Sequence, residues 1–92
     1  MRTFTCFVKE EDDQYASLCI ELDEASCGST KEKAIEGLKD AIETYLDYMV
    51  SEKKESEIYR PVPMDELKHF LFPKTTICKQ NLEALSLEFQ HA

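Results

Sequence analysis

The chain has 92 residues, with 11 Lys plus Arg against 19 Asp plus Glu, 42% apolar and 33% charged content. That length fits one domain, residues 1–92, with one modest core, and excludes a second folded unit and a deep substrate cavity. The formal charge of −8 repels polyphosphates and anionic membrane faces, so direct nucleic-acid binding is not expected and a basic protein surface is the favoured partner.

In chain order, Arg2 to Lys9 is rich in β-branched and aromatic residues and alternates, with Phe4, Cys6 and Val8 on one face and Thr3, Thr5 and Phe7 on the other. That pattern predicts a strand. Glu10 to Gln14 is a hairpin loop, and from Tyr15 a second, antiparallel strand follows, with Ala16, Leu18, Ile20 and Leu22 on one face and Tyr15, Ser17, Cys19 and Glu21 on the other. Phe7, Tyr15 and Cys19 are expected on the sheet face away from the helix. A turn at Asp23, Glu24 and Ser26 leads into a short third strand over Ala25 to Gly28.

Ser29 and Glu32 have the spacing of a capping box, and Thr30 is the alternative cap one residue later. Gly28 ahead of them is expected in a backbone conformation that a Cβ disfavours. The strongest signal comes next: Ala34, Ile35, Leu38, Ala41, Ile42, Tyr45, Leu46 and Met49 recur with a 3.6-residue period over four turns. Glu32, Glu36, Lys39, Asp40, Glu43 and Asp47 fill the opposite surface, so this long helix lies with its apolar stripe on the sheet. Gly37 inside it costs about 1 kcal/mol relative to Ala, which implies close approach of another element.

Ser51 to Glu57 is polar and reads as a fraying helix end and loop; Pro61 and Pro63 impose extended geometry on Arg60 and Val62. Met64, Leu67, Phe70 and Leu71 then share one face of a short second helix that Pro73 stops. Thr75 to Cys78 reads as extended, Gln80 to Glu83 fits more than one state, and Leu85, Leu87 and Phe89 alternate as a closing strand. The fold class is α+β: a small antiparallel sheet built as a βββα core, a short second helix and a C-terminal closing strand, with one long amphipathic helix packed on one face.

The residues that carry chemistry are few. Four consecutive carboxylates, Glu10, Glu11, Asp12 and Asp13, lack the distributed ligand spacing of a calcium loop and read as a solvated turn that can meet a basic protein. His69 and His91 have no Ser, Cys or carboxylate set beside them for catalysis. With Gly28 and Gly37 as the only glycines, no phosphate-cradling loop exists, so no nucleotide cofactor is expected. Cys6, Cys19, Cys27 and Cys78 form no C-x-x-C pair and have no histidine at finger spacing, which argues against structural zinc and for reduced cysteines in a cytoplasmic protein. There is no apolar h-region at the N-terminus and no membrane-spanning run.

The charged hairpin, Tyr15-Ala16 opening an amphipathic strand, and Gly28, Thr30, Lys33 and Ala34 leading into Leu38, Ala41, Ile42 and Tyr45 resemble the HicB antitoxin family over residues 2–50. The resemblance implies a partial ribonuclease H-like βββαβ unit without nuclease activity. It further implies a partner, a small basic HicA-type ribonuclease toxin whose active surface the antitoxin covers. Independently of the resemblance, a small sheet covered on one side by one long helix leaves its other face or an edge for a partner or for self-association as a homodimer or higher homo-oligomer. Leu22-Asp23-Glu24-Ala25 stands where the family tends to carry Pro and Gly, and no separate C-terminal DNA-binding segment is recognisable after Tyr59. The partner-binding candidates are Glu10, Glu11, Asp12, Asp13, Phe7 and Tyr15, and the helix-cap group is Gly28, Ser29, Thr30 and Glu32. Two other readings stand beside the antitoxin: a solitary homo-oligomeric relative without a toxin, and a small metal-dependent hydrolase with ribonuclease H-like acidic chemistry.

Overall fold

A computed structural model of the chain describes residues 2–71 and 82–89. In chain order these form β1 (Arg2–Glu11), β2 (Gln14–Cys19), β3 (Glu24–Gly28), α1 (Lys31–Ser51), a 3₁₀ turn (Glu55–Glu57), α2 (Met64–Leu71) and β4 (Leu82–Phe89). The four strands make one sheet in the order β3-β2-β1-β4, every neighbouring pair antiparallel. This is the expected α+β architecture, with the closing strand beside the first. Pro73, Thr75 to Cys78 and His91 lie outside the described residues, as does the start of the Gln80 to Glu83 stretch, whose Leu82 and Glu83 belong to β4.

The loop expected over Glu10 to Gln14 shrinks to two residues. Asp12 and Asp13 have φ of 47° and 65°, and Glu11 pairs with Gln14 on either side of them. Two central residues at positive φ make a type I′ turn, whose twist suits antiparallel strands, and Asp tolerates that region better than most side chains. This tight turn fixes the register: Cys6 faces Cys19, Val8 faces Ser17 and Glu10 faces Tyr15.

Register overturns one expectation about faces. Tyr15 and Cys19 lie on the helix-covered side together with Phe4, Cys6 and Val8, whereas Phe7 lies on the opposite face beside Leu18, as expected. The alternation within β2 is correct, but its apolar set does not mark the α1 side, because Leu18 is buried on the face away from α1 as Cys19 is beneath it. Ser17 meets α1 instead, and its hydroxyl lies 2.9 Å from the carbonyl of Ala34 and 3.3 Å from that of Ser26. A buried hydroxyl satisfied in this way costs little. Leu22 still joins the α1-side core, because the chain turns over residues 20–23 and the two-residue period ends there.

The core gathers Phe4, Cys6, Cys19, Leu22, Leu38, Ile42, Leu46, Met49, Ile58, Leu87 and Phe89, with Ile35, Tyr45 and Leu85 packed at its margin. The expected apolar stripe of α1 is thus the face that covers the sheet. Thr30 caps the helix, its Oγ1 accepting from the amide of Lys33 at 3.1 Å. Ser29 lies one residue too early, so the Ser29–Glu32 box does not form. Gly28 has no positive φ; a Cβ there would lie 2.7 Å from the Cβ of Lys33 and 2.8 Å from the amide nitrogen of Ala34, so close approach explains it. At Gly37 a Cβ would lie 2.3 Å from the Oγ of Ser26, which identifies β3 as the element that comes close.

At its other end α1 stops cleanly instead of fraying. The amide of Lys53 donates to the carbonyl of Val50 at 3.0 Å and that of Lys54 to Met49 at 2.8 Å, with Lys53 at φ 57°. These two bonds constitute a Schellman cap. The chain then drops Ile58, fully buried, into the core and runs along the sheet end, where the amides of Arg60 and Val62 donate to the carbonyls of Glu21 and Ile20. In α2, Leu67, Phe70 and Leu71 are half-buried as expected, but Met64 is 64% exposed because it sits at the first helical position.

Candidate partner-binding surface

The six candidate partner-binding residues do not share one face. Asp12 and Asp13 project from the hairpin tip and are exposed, as are Glu10 and Glu11. Phe7 is half-buried on one side of the sheet, across from Leu18 and Ala84, while Tyr15 is half-buried on the other, across from Glu10 and Gly28. Tyr15 lines a hollow of about 250 Å³ with Val8, Lys31, Leu82 and Glu83, and an ion pair between Lys31 and Glu83 bridges α1 to β4 beside it.

A buried cation supports the hairpin. Lys9 is 4% exposed; its ammonium donates to the carbonyl of Phe70 at 2.7 Å, lies 4.4 Å from the Phe70 ring centre and sits 3.0 Å from Glu11. A lysine is rarely this buried unless its donors are satisfied, and here they are met by the last turn of α2, where helix carbonyls lack partners of their own. Glu11 therefore has an internal cationic partner, and Asp12 and Asp13 place exposed negative charge at the tip itself.

A second acidic region runs along α1, where Glu32, Glu36, Asp40, Glu43 and Asp47 are all exposed. Beside it, Glu24, Asp40, Ala41, Thr44, Tyr45 and Tyr48 line a shallow groove of about 440 Å³ between the helix and the start of β3. Arg60 anchors one wall: its guanidinium stacks 4.3 Å from the Tyr45 ring centre, donates to the Leu22 carbonyl at 2.7 Å and pairs with Glu24 at 2.6 Å. Tyr45 in turn donates its hydroxyl to the Ile58 carbonyl at 2.6 Å. Tyr48, 54% exposed, is left at the rim. Exposed tyrosine beside arginine is typical of protein-contact surfaces. Nothing in the spacing of Arg60 announces this role; only its place directly before Pro61, which holds it extended against the sheet end, hints at it.

Among the described residues no three His, Cys, Asp or Glu side chains come together as a group that could hold a metal ion, and His69 stands exposed on α2. No helix among them is long and apolar enough to cross a membrane. Comparison of the chain with protein-family models, with curated proteins and with solved structures returns no match.

Proposed function

We propose that this chain is a non-catalytic protein-binding module, a HicB-like antitoxin that neutralises a small basic ribonuclease toxin of the HicA type by covering its active surface. The observation that carries the reading is the sign and placement of exposed charge. Carboxylates crowd the hairpin tip and the outward face of α1, where Glu32, Glu36, Asp40, Glu43 and Asp47 outnumber the exposed lysines Lys33 and Lys39, while Lys9, Lys31 and Arg60 each pair with a carboxylate. Such a surface accelerates encounter with a basic protein and repels RNA, so it suits occlusion of a ribonuclease better than competition for its substrate.

The reading is tested by co-expression with a small basic protein encoded in an adjacent reading frame. A stable complex that suppresses its ribonuclease activity supports it; a basic neighbour that neither binds nor is inhibited refutes it. A solitary homo-oligomeric role is the second reading, favoured by the edge strands β3 and β4, each paired on one side only among the described residues. The solitary reading requires assembly, so a purely monomeric chain in sedimentation at micromolar concentration without the toxin refutes it.

A further inference from the structure

Cys6 and Cys19 face each other directly across β1 and β2. In an antiparallel ladder, facing residues alternate between those that exchange backbone hydrogen bonds and those that do not. The two-residue turn makes Glu11 and Gln14 a bonded pair, and counting in steps of two reaches Phe7 with Leu18 and then Thr5 with Ile20. The amide of Ile20 indeed donates to the carbonyl of Thr5 at 3.1 Å. Cys6 and Cys19 therefore occupy a non-bonded pair, where facing Cα atoms lie about 4.5 Å apart and the side chains are closest. A disulfide spans Cα separations of about 4.4 to 6.8 Å, so this site meets the requirement without strand rearrangement.

The chemistry of the pair agrees. Both thiols are free, and both are fully buried beneath α1. The hydrogen bond between them holds Cys19 below the usual thiol range and, with burial, pushes Cys6 far above it. Cys19 also donates to Oε1 of Glu21 at 3.9 Å, the same oxygen that accepts the Thr5 amide at 2.7 Å. Cys6, Cys19 and Glu21 thus form a donor chain that ends on a carboxylate.

We propose that Cys6 and Cys19 are a modification site, a cross-strand dithiol that hydrogen peroxide converts to an intrachain disulfide. The proton of Cys19 passes to Glu21, and the Cys19 sulfur attacks one oxygen of the peroxide. The O–O bond breaks, and the departing hydroxide recovers the proton from Glu21 and leaves as water. The Cys6 sulfur then attacks the Cys19 sulfenic acid; the S–O bond breaks, and the hydroxyl leaves as a second water with the Cys6 proton. Two thiols are oxidised to one disulfide and one peroxide is reduced to two waters. Peroxide suits the site because it is scarcely larger than water, whereas bulky disulfides enter only when the strands open.

The test uses the full chain with Cys27→Ser and Cys78→Ser, which removes the exposed thiol of Cys27 and the one that lies outside the described residues. After peroxide treatment and alkylation in denaturant, the expected product has lost two hydrogens, takes up no alkyl group and yields a Cys6–Cys19 linked peptide that dithiothreitol separates. Its thermal midpoint rises by about 10 °C over the reduced form. Alkylation of both cysteines after exposure, sulfinic or sulfonic acid as the product, or linkage only between chains overturns the proposal. Glu21→Gln keeps an acceptor for Thr5 and is expected to slow disulfide formation about tenfold; an unchanged rate removes Glu21 from the mechanism. If the double variant does not fold, peptide mapping of the unmodified sequence decides the same question.

Discussion

The end of α1 offers a prediction whose size follows from one backbone angle. Lys53 occupies the position after the helix cap with φ 57°, a conformation in which a Cβ costs about 1 to 2 kcal/mol and which glycine adopts freely. Its side chain is exposed. Lys53→Gly removes that strain but makes the unfolded chain more flexible, by about 0.4 to 1 kcal/mol, so the net gain is about 0.5 to 1 kcal/mol. The lysine charge also favours the negative end of the helix, and Lys53→Ala controls for it by removing the charge while keeping the Cβ. Urea denaturation followed by far-ultraviolet circular dichroism is therefore expected to rank Lys53→Gly above Lys53→Ala by about 1 kcal/mol, with Lys53→Ala no more stable than the parent. Equal stability of the two variants would refute the argument, because it would mean that the Schellman cap is not holding Lys53 at positive φ.

Other outcomes follow from individual side chains. Replacing Asp12-Asp13 by Asn-Gly, the residues that a type I′ turn prefers, is expected to raise stability by about 1 kcal/mol in the same denaturation assay. Lys reversal of both aspartates is expected to lower the association rate with a basic partner about tenfold at low salt, with the deficit shrinking as salt is added; stopped-flow fluorescence measures both. Lys9→Met strands the Phe70 carbonyl and costs about 1 to 3 kcal/mol, and hydrogen exchange is expected to show α2 losing protection before β1 and β2. Leu46→Ala, at a fully buried stripe position, is expected to cost about 2 to 5 kcal/mol and to broaden the unfolding transition or abolish it.

Local pattern carries most of this fold. The period of α1 from Ala34 to Met49, the alternation of β1 and β4 and the brevity of β3 are all readable from neighbouring residues, because each element's buried set repeats at its own spacing. What local pattern cannot carry is pairing between distant segments. The face of β2 depended on whether the turn had two residues or five, and that choice exchanged Tyr15 and Cys19 with Ala16 and Leu18. Lys9 looks like a solvated strand end until Phe70, far along the chain, covers it. Arg60 and Ile58 sit in a stretch with no period, and their roles come from Leu22, Glu24 and Tyr45. The candidate surface was legible in the same measure: the acidic tip is plain in the residues, whereas the groove beside Tyr48 exists only once α1 lies against β3.

The Asp12-Asp13 turn also sets a rule for how this molecule can diverge. Side chains in a strand swap sides at every step, so one residue inserted at the tip would turn Tyr15, Ser17 and Cys19 outward and bring Ala16 and Leu18 beneath the helix. Descendants can therefore repaint the fingertip with new chemistry for a new client, but the finger must keep its length or grow by whole pairs.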